Sequence, residues 1–232
     1  NVGNTQDSTV ATVVFDTSLP SLEAAQFSKS IYKYGDVVRL TLTATELVRL
    51  PTVVVTGNDG TQLVLEAQSN AVSINHTYVS EPLGEGAAGS YTLSVELTDQ
   101  AGNSSGVLTA NDADGMPAGF EVDITGPVLT NLGIEGVPGV DFSVIGATHD
   151  AVLHFDTGGE ELAALEIYLA GMAAEAELCT YATTSPHYTC TFVAEDFAAQ
   201  VGTDQSYPIS ITGYDAAGNT DTFGTTLRVD LR

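Results

Sequence analysis

The sequence is poor in basic residues, and this scarcity excludes several classes of partner. It has 6 Lys and Arg against 30 Asp and Glu, which gives a net charge of −24 at pH 7. A surface of this sign repels phosphate backbones and anionic lipid, so we exclude nucleic acid and the membrane as partners. It attracts cations. The acidic residues therefore either only keep the chain soluble or also supply carboxylates to a metal ion.

Long hydrophobic runs and catalytic motifs are also missing. No apolar stretch is long enough to insert in a bilayer as a helix. There is no G-x-S-x-G, no H-E-x-x-H and no phosphate-binding Gly-rich loop. The four histidines are scattered, so no zinc site is expected. We predict that the protein is not an enzyme.

Cysteine is scarce too, and the two that occur are close in sequence. Cys179 and Cys190 enclose a Thr-Ser-Pro turn between two β-rich runs. Such a turn would place the two thiols opposite each other across a hairpin. We expect a disulfide, and hence an extracellular or periplasmic setting. A reduced pair within a core is the alternative.

One short motif recurs at a constant interval. Asp16, Asp123 and Asp230 each follow a short β-like run, and successive members are 107 residues apart. This spacing predicts two modules, 16–122 and 123–232, after an N-terminal linker, 1–15. Asp230 would open a third module, and the polar start without Met suggests a piece of a longer chain.

Within each module the pattern is that of β-strands. Apolar residues alternate with polar ones, as in "DVVRLTLTATE" (36–46), and turn residues recur every 8–12 positions. We predict an all-β fold of two tandem immunoglobulin-like antiparallel β-sandwich domains. Tyr91 and Tyr207 fit the tyrosine corner of such sandwiches. Segment 160–178 is rich in Ala, Leu and Glu and would suit a helix, but its place in the repeat favours a strand.

Both modules contain Asp-x-Ala-Gly-Asn, at 99–103 and 215–219. The aspartate can bond the following amides as in an Asx turn, and this role alone would account for the motif. In an immunoglobulin-like sandwich the turn lies where strand A begins, beside the B–C corner. That geometry predicts two clusters of oxygen ligands. They are Asp16, Glu46, Asp99 and Asn103 in the first module, and Asp123, Asp156, Asp215 and Asn219, with Glu160 near Asp156, in the second.

Such clusters suit Ca²⁺, which takes about six to eight oxygen ligands. We predict that Ca²⁺ binds there and stiffens the junctions between modules. A second metal loop is suggested by Asp112, Asp114 and Glu121, although Ala110 stands where the first Asp of a calcium loop should be. The alternative for that loop is a polar surface segment.

A recognition function is the main alternative to a structural one. Tyr181, His187 and Tyr188 flank the predicted hairpin turn and are the candidates for binding a glycan or a partner protein.

The phrases "YGDVVRLTLTATE", "YTLSVELTDQAGN", "VDITGP" and "YDAAGNTDTF" resemble the tandem bacterial immunoglobulin-like repeats of large surface adhesins. The resemblance covers nearly the whole chain from Asp16. It implies extracellular spacer modules that contact neighbouring modules, with calcium at some junctions. The ligands it implies are Asp16, Glu46 and Asp99, then Asp123, Asp156 and Asp215.

Overall fold

The computed structural model describes residues 15–109, 119–135, 144–145, 151–169, 172–174, 179–192 and 205–229. In this part of the chain the regular structure is β-strand, apart from one turn of 3-10 helix at Glu85–Ala87. None of its helices is long and apolar enough to cross a membrane. The chain divides into two compact units, with the main division between Glu121 and Val122.

The described residues of the first module form ten strands. They are β1 (Leu22–Phe27), β2 (Ile31–Tyr32), β3 (Val37–Val48), β4 (Thr52–Gly57), β5 (Gln62–Leu63), β6 (Leu65–Ala67), β7 (Ser73–Pro82), β8 (Gly89–Thr98), β9 (Ser104–Thr109) and β10 (Gly119–Val122). One sheet has the order β1-β3-β7-β6. The other has the order β2-β10-β8-β4-β5, and β9 also pairs with β8.

In the second module the part of the chain that the structure describes forms nine strands on the same plan. They are β11 (Thr130–Glu135), β12 (Val144–Ile145), β13 (Ala151–Asp156), β14 (Ala164–Leu169), β15 (Met172–Ala174), β16 (Cys179–Tyr181), β17 (Tyr188–Phe192), β18 (Gln205–Tyr214) and β19 (Thr220–Val229). Its sheets have the orders β11-β13-β17-β16 and β12-β19-β18-β14-β15.

Both modules therefore have the strand order of an immunoglobulin-like sandwich. One sheet corresponds to strands A-B-E-D and the other to A′-G-F-C-C′. In the second module the short β12 runs parallel to β19, as strand A′ does beside strand G. This topology confirms the predicted all-β, immunoglobulin-like fold class.

The cores come from the alternation seen in the sequence. In β3 every second side chain is buried, including Val38, Leu40 and Leu42, while the residues between them face outward. Segment 160–178 contains strands β14 and β15, as its place in the repeat predicted. Ile167 is 1% exposed and its neighbour Tyr168 is 39% exposed, which is the pattern of a strand rather than a helix.

The predicted disulfide is present in the second module. Cys179 and Cys190 are directly paired residues of β16 and β17, and their sulfurs are bonded. Cys190 is completely buried in a core that also contains Phe155, whose ring stacks on Tyr188 at a centroid distance of 5.1 Å. The disulfide thus joins an outer strand of the sheet to the core.

Candidate metal sites at the amino-terminal pole of each module

The Asp-x-Ala-Gly-Asn turn of the first module is closed by its aspartate. Asp99 is 1% exposed, and its Oδ1 accepts hydrogen bonds from the backbone amides of Gly102 (2.6 Å) and Asn103 (2.8 Å). Its Oδ2 accepts the side-chain amide of Asn103 at 2.7 Å. Gly102 has a φ of 98°, which glycine adopts without a steric penalty. Burial acts to raise the pKa of Asp99, but the hydrogen bonds, chiefly from Asn103, outweigh it and lower the pKa.

Three carboxylates from separate segments meet beside this turn. Asp16 precedes β1, Glu46 lies near the end of β3 and Asp99 follows β8. One carboxylate oxygen from each lies within 4.8 Å of the other two. The side-chain nitrogen of Asn103 also donates to the backbone oxygen of Asp16 at 3.1 Å. The structure thus brings together the four residues that the sequence grouped in the first module.

The electrostatics of this group favour a cation. Desolvation raises the pKa of Glu46, and the negative charges of Asp16 and Asp99 raise it further. Three like charges at this distance repel one another, and a bound divalent ion would remove that repulsion. The donors are hard oxygens without Cys or His, so they fit Ca²⁺ and not Zn²⁺.

The corresponding turn of the second module shares the bonds between its aspartate and asparagine, whereas the amide of Gly218 donates to the backbone carbonyl of Asp215. Asp215 is 2% exposed, and its two oxygens accept the backbone and side-chain amides of Asn219 at 2.8 and 2.9 Å. The side-chain nitrogen of Asn219 also donates to the backbone oxygens of Asp123 (2.9 Å) and Thr125 (3.1 Å). Asn219 therefore ties the segment before β11 to the turn, as Asn103 does in the first module.

Glu160 is the acidic residue on which the charges of this turn act in the second module. Desolvation raises the pKa of Glu160, and the charges of Asp215 and then Asp123 raise it further. In the first module, the backbone amide of Arg49 donates to the carbonyl of Thr98. Ala163 and Tyr214 form the same bond in the second module. Glu46 and Glu160 each lie three residues before these matched amides, so they are equivalent positions.

Asp156, which the sequence placed among these ligands, is used elsewhere. Its Oδ2 accepts the side chains of Asn131 (2.8 Å) and Ser185 (2.9 Å), and its Oδ1 accepts the backbone amide of His187 at 3.1 Å. The hydrogen bonds from Asn131 and Ser185 lower the pKa of Asp156. This carboxylate closes the hairpin between β16 and β17. Among the described residues, only Asp16, Glu46 and Asp99 have carboxylate oxygens within 4.8 Å of one another. Neither Asp156 nor Glu160 forms such a group with Asp123 and Asp215.

The different position of Asp156 has a local structural cause. β13 ends at Asp156, and a glycine turn at Gly158 and Gly159, with φ values of 69° and 94°, separates it from Glu160. In the first module β3 continues through Glu46 without such a turn. A sequence signal was present, because Glu160 precedes the same apolar strand pattern as Glu46.

Asp112 and Asp114 of the suggested second metal loop lie outside the described residues. Glu121 is in β10, where its backbone amide donates to the carbonyl of Ser30.

The three residues proposed for recognition are engaged within the module. Tyr188 is 6% exposed, and its hydroxyl accepts the amide of Leu162 at 2.8 Å. The hydroxyl of Tyr181 donates to the carbonyl of Gly159 at 3.0 Å. His187 Nδ1 accepts the amide of Thr157 at 3.3 Å. Together they hold the 157–162 loop against the hairpin, so they do not form the free aromatic surface that was expected.

No protein-family model matches the sequence, and no curated protein matches it. Similar solved structures include the I-band fragment I67–I69 from titin, at 12% identity and a TM-score of 0.47 over 92% of this chain and 66% of the fragment. The N-terminal eight Ig domains of Down syndrome cell adhesion molecule align over 92% of this chain and 25% of theirs, at 10% identity and a TM-score of 0.40. Latent PorU from Porphyromonas gingivalis aligns over 92% and 24%, at 11% identity and a TM-score of 0.34. The chain spans less than two thirds of each of these lengths.

Proposed function

We propose that this chain is a pair of extracellular spacer modules from a bacterial surface adhesin. We propose further that Ca²⁺ binds at the end of each module where its first strand begins, beside the Asp-x-Ala-Gly-Asn turn. The observation that carries the proposal is the group formed by Asp16, Glu46 and Asp99, with oxygens within 4.8 Å of one another. Ca²⁺ would neutralise these carboxylates and bind the linker to the sandwich. The disulfide supports an oxidising compartment, and the tandem sandwiches support a modular structural function.

The position of the ligands explains what such an ion would do. Asp16 belongs to the segment that leads into the first sandwich, whereas Glu46 and Asp99 belong to the sandwich itself. An ion shared by them resists bending of that segment. Asp123, Glu160 and Asp215 are the equivalent residues of the second module, where the three carboxylates are not within 4.8 Å of one another and an ion would have to draw them together. Linkers between domains bend by default, so a chain of calcium-tied linkers is stiffer than one of free linkers.

Calorimetric unfolding tests the proposal directly. We expect the midpoint temperature of unfolding to rise steadily as Ca²⁺ is added, compared with a sample in chelator. It should not rise when Mg²⁺ is added at equal ionic strength. A ligand that binds only the folded state adds about 2.7 kcal/mol at a hundredfold excess over Kd. A midpoint that responds equally to Ca²⁺, Mg²⁺ and NaCl would show charge screening alone and would contradict the site.

The variant Glu46→Gln sharpens this test, with Glu66→Gln as a matched exposed control on β6. The pKa of Glu46 is raised, so in the chelated protein its ionisation costs stability as pH rises through that raised value. Glu46→Gln should therefore unfold at or above the wild-type midpoint in chelator at pH 7. In Ca²⁺ it should lose the midpoint shift of the first module. An unchanged calcium response would remove Glu46 from the ligands.

A further inference from the structure

The outer face of one sheet in the second module carries an exposed line of two tyrosines and a glutamate. Ile167 and Ile211 point into the core at 1% exposure, so their neighbours in β14 and β18 point outward. Tyr168 is 39% exposed, Glu166 is exposed and Tyr214 is half-buried. Desolvation raises the pKa of Tyr214, and the nearby carboxylate of Glu166 raises it further. The strand pairing places Glu166 two residue steps from each tyrosine along the sheet.

Small and hydroxylated residues surround this line. Glu166 is paired across the sheet with Thr212, and Thr212 with Thr222, whose hydroxyls are 3.0 Å apart. Tyr168 is paired with Ser210, and Ser210 with the exposed Gly224. These side chains are too short to cover the ring of Tyr168. The result is a flat platform with aromatic rings at two points and hydroxyl groups beside them.

The first module shows that the sandwich does not require these tyrosines. Arg49 and Ala163 form the same backbone hydrogen bond in their respective modules. Counting along the strand from this pair, Tyr168 corresponds to Val54 and Glu166 to Thr52. Tyr214 corresponds to Thr98, because each precedes the turn aspartate. The same sheet therefore forms with short residues at all three positions. The aromatic line is a feature of the second module and not of the fold.

We propose that this face, formed by Glu166, Tyr168, Tyr214, Thr212 and Thr222, binds a neutral oligosaccharide. The carbon-bound hydrogens of a pyranose ring form an apolar surface that packs on a tyrosine ring. The sugar hydroxyls then bond to the carboxylate oxygens of Glu166 and to the threonine hydroxyls. Tyrosine supplies such contact area with little loss of conformational entropy.

Charge and length select the class of glycan. The strand register places two charged residues on this sheet face, Glu166 beside the tyrosines and Arg228 at the far end of β19. The whole chain carries −24. An acidic polysaccharide would be repelled, whereas a neutral one would not. Tyr168 and Tyr214 lie four residue steps apart along the sheet, or about 13 Å at strand spacing. That length accommodates a few consecutive sugar rings.

Affinity gel electrophoresis in chelator tests this site separately from calcium. The gels contain mannan, dextran, xyloglucan or mixed-linkage β-glucan as neutral probes, and alginate as the anionic probe. We expect at least one neutral polysaccharide to retard the protein and alginate not to. The double variant Tyr168→Val and Tyr214→Thr, which installs the residues of the first module, should weaken binding at least about tenfold, or about 1.4 kcal/mol. Tyr34→Ala, at a tyrosine that is 58% exposed elsewhere, should bind as wild type does.

Glu166→Gln gives a second readout if the double variant is poorly folded by circular dichroism. It should weaken binding because the amide has one acceptor oxygen where the carboxylate has two. Absence of retardation in every neutral gel would overturn the proposal. Equal retardation of the wild type and both variants would also overturn it. Retardation by alginate alone would do the same.

Discussion

Single carboxylates differ in what they do here, although they resemble one another in the sequence. Asp99 and Asp215 are buried and accept the amides of their own turns, so their first role is to close those turns. Glu46 and Glu160 have raised pKa values because they are desolvated beside like charges. Asp156 has a lowered pKa because donors surround it. Among the two glutamates and Asp156, the direction of the pKa shift separates the carboxylates that lie beside like charges from the one that hydrogen-bond donors already stabilise.

This difference predicts that Asp156→Ala and Glu160→Gln have opposite effects. Asp156→Ala leaves the amide of His187 and the side chains of Asn131 and Ser185 without their acceptor, so the second module should unfold at a lower temperature. Its midpoint shift with Ca²⁺ should remain. Glu160→Gln should keep stability in chelator and lose the calcium shift of the second module. Calorimetry with and without Ca²⁺ measures both, and the reverse pattern would restore Asp156 as the ligand.

Among the structural elements, the β16–β17 hairpin holds both an outer strand and a neighbouring loop in place. Its disulfide fixes the outer strand, Tyr188 lies in the core, and its turn holds the 157–162 loop through Asp156, Tyr181 and His187. This loop contains Glu160. In the first module Glu46 lies within strand β3, so its position does not depend on a loop held by a hairpin.

Removal of the disulfide should therefore weaken the second module alone. In the chain-entropy treatment, a loop closed by a separation of 11 residues contributes about 2–3 kcal/mol. Cys179→Ala with Cys190→Ala should lower the unfolding midpoint of the second module by several degrees. The transition of the first module serves as the internal control. Equal losses in both modules, or none in the second, would contradict this assignment.

Over the whole molecule, the proposed function concerns the segments that lead into the sandwiches. Asn103 and Asn219 already bond to the backbones of Asp16 and Asp123, so each segment is partly attached before any ion is added. Repulsion within the strongly negative chain opposes compaction, and cations of any kind reduce that repulsion. A specific site must therefore be distinguished from general screening.

Small-angle X-ray scattering makes that distinction. Ca²⁺ at constant ionic strength should narrow the distribution of radii of gyration for the two-module chain. Asp123→Ala with Asp215→Ala should abolish this narrowing while each module stays folded by circular dichroism. Scattering that is the same with and without Ca²⁺ in the wild type would count against calcium-tied linkers.

The sequence by itself determined the strands, the repeat, the disulfide and the Asp-x-Ala-Gly-Asn turns, because alternation, spacing and turn chemistry are local. It also grouped Asp16, Glu46, Asp99 and Asn103, since strand β3 is uninterrupted up to Glu46. Only the tertiary structure showed that Asp156 is bonded to the β16–β17 hairpin, whereas the charges of Asp215 and Asp123 act on Glu160. Only it showed that Tyr181 and Tyr188 are held within the module while Tyr168 is exposed. Strand register and burial set those outcomes, and both depend on contacts between residues distant in the chain.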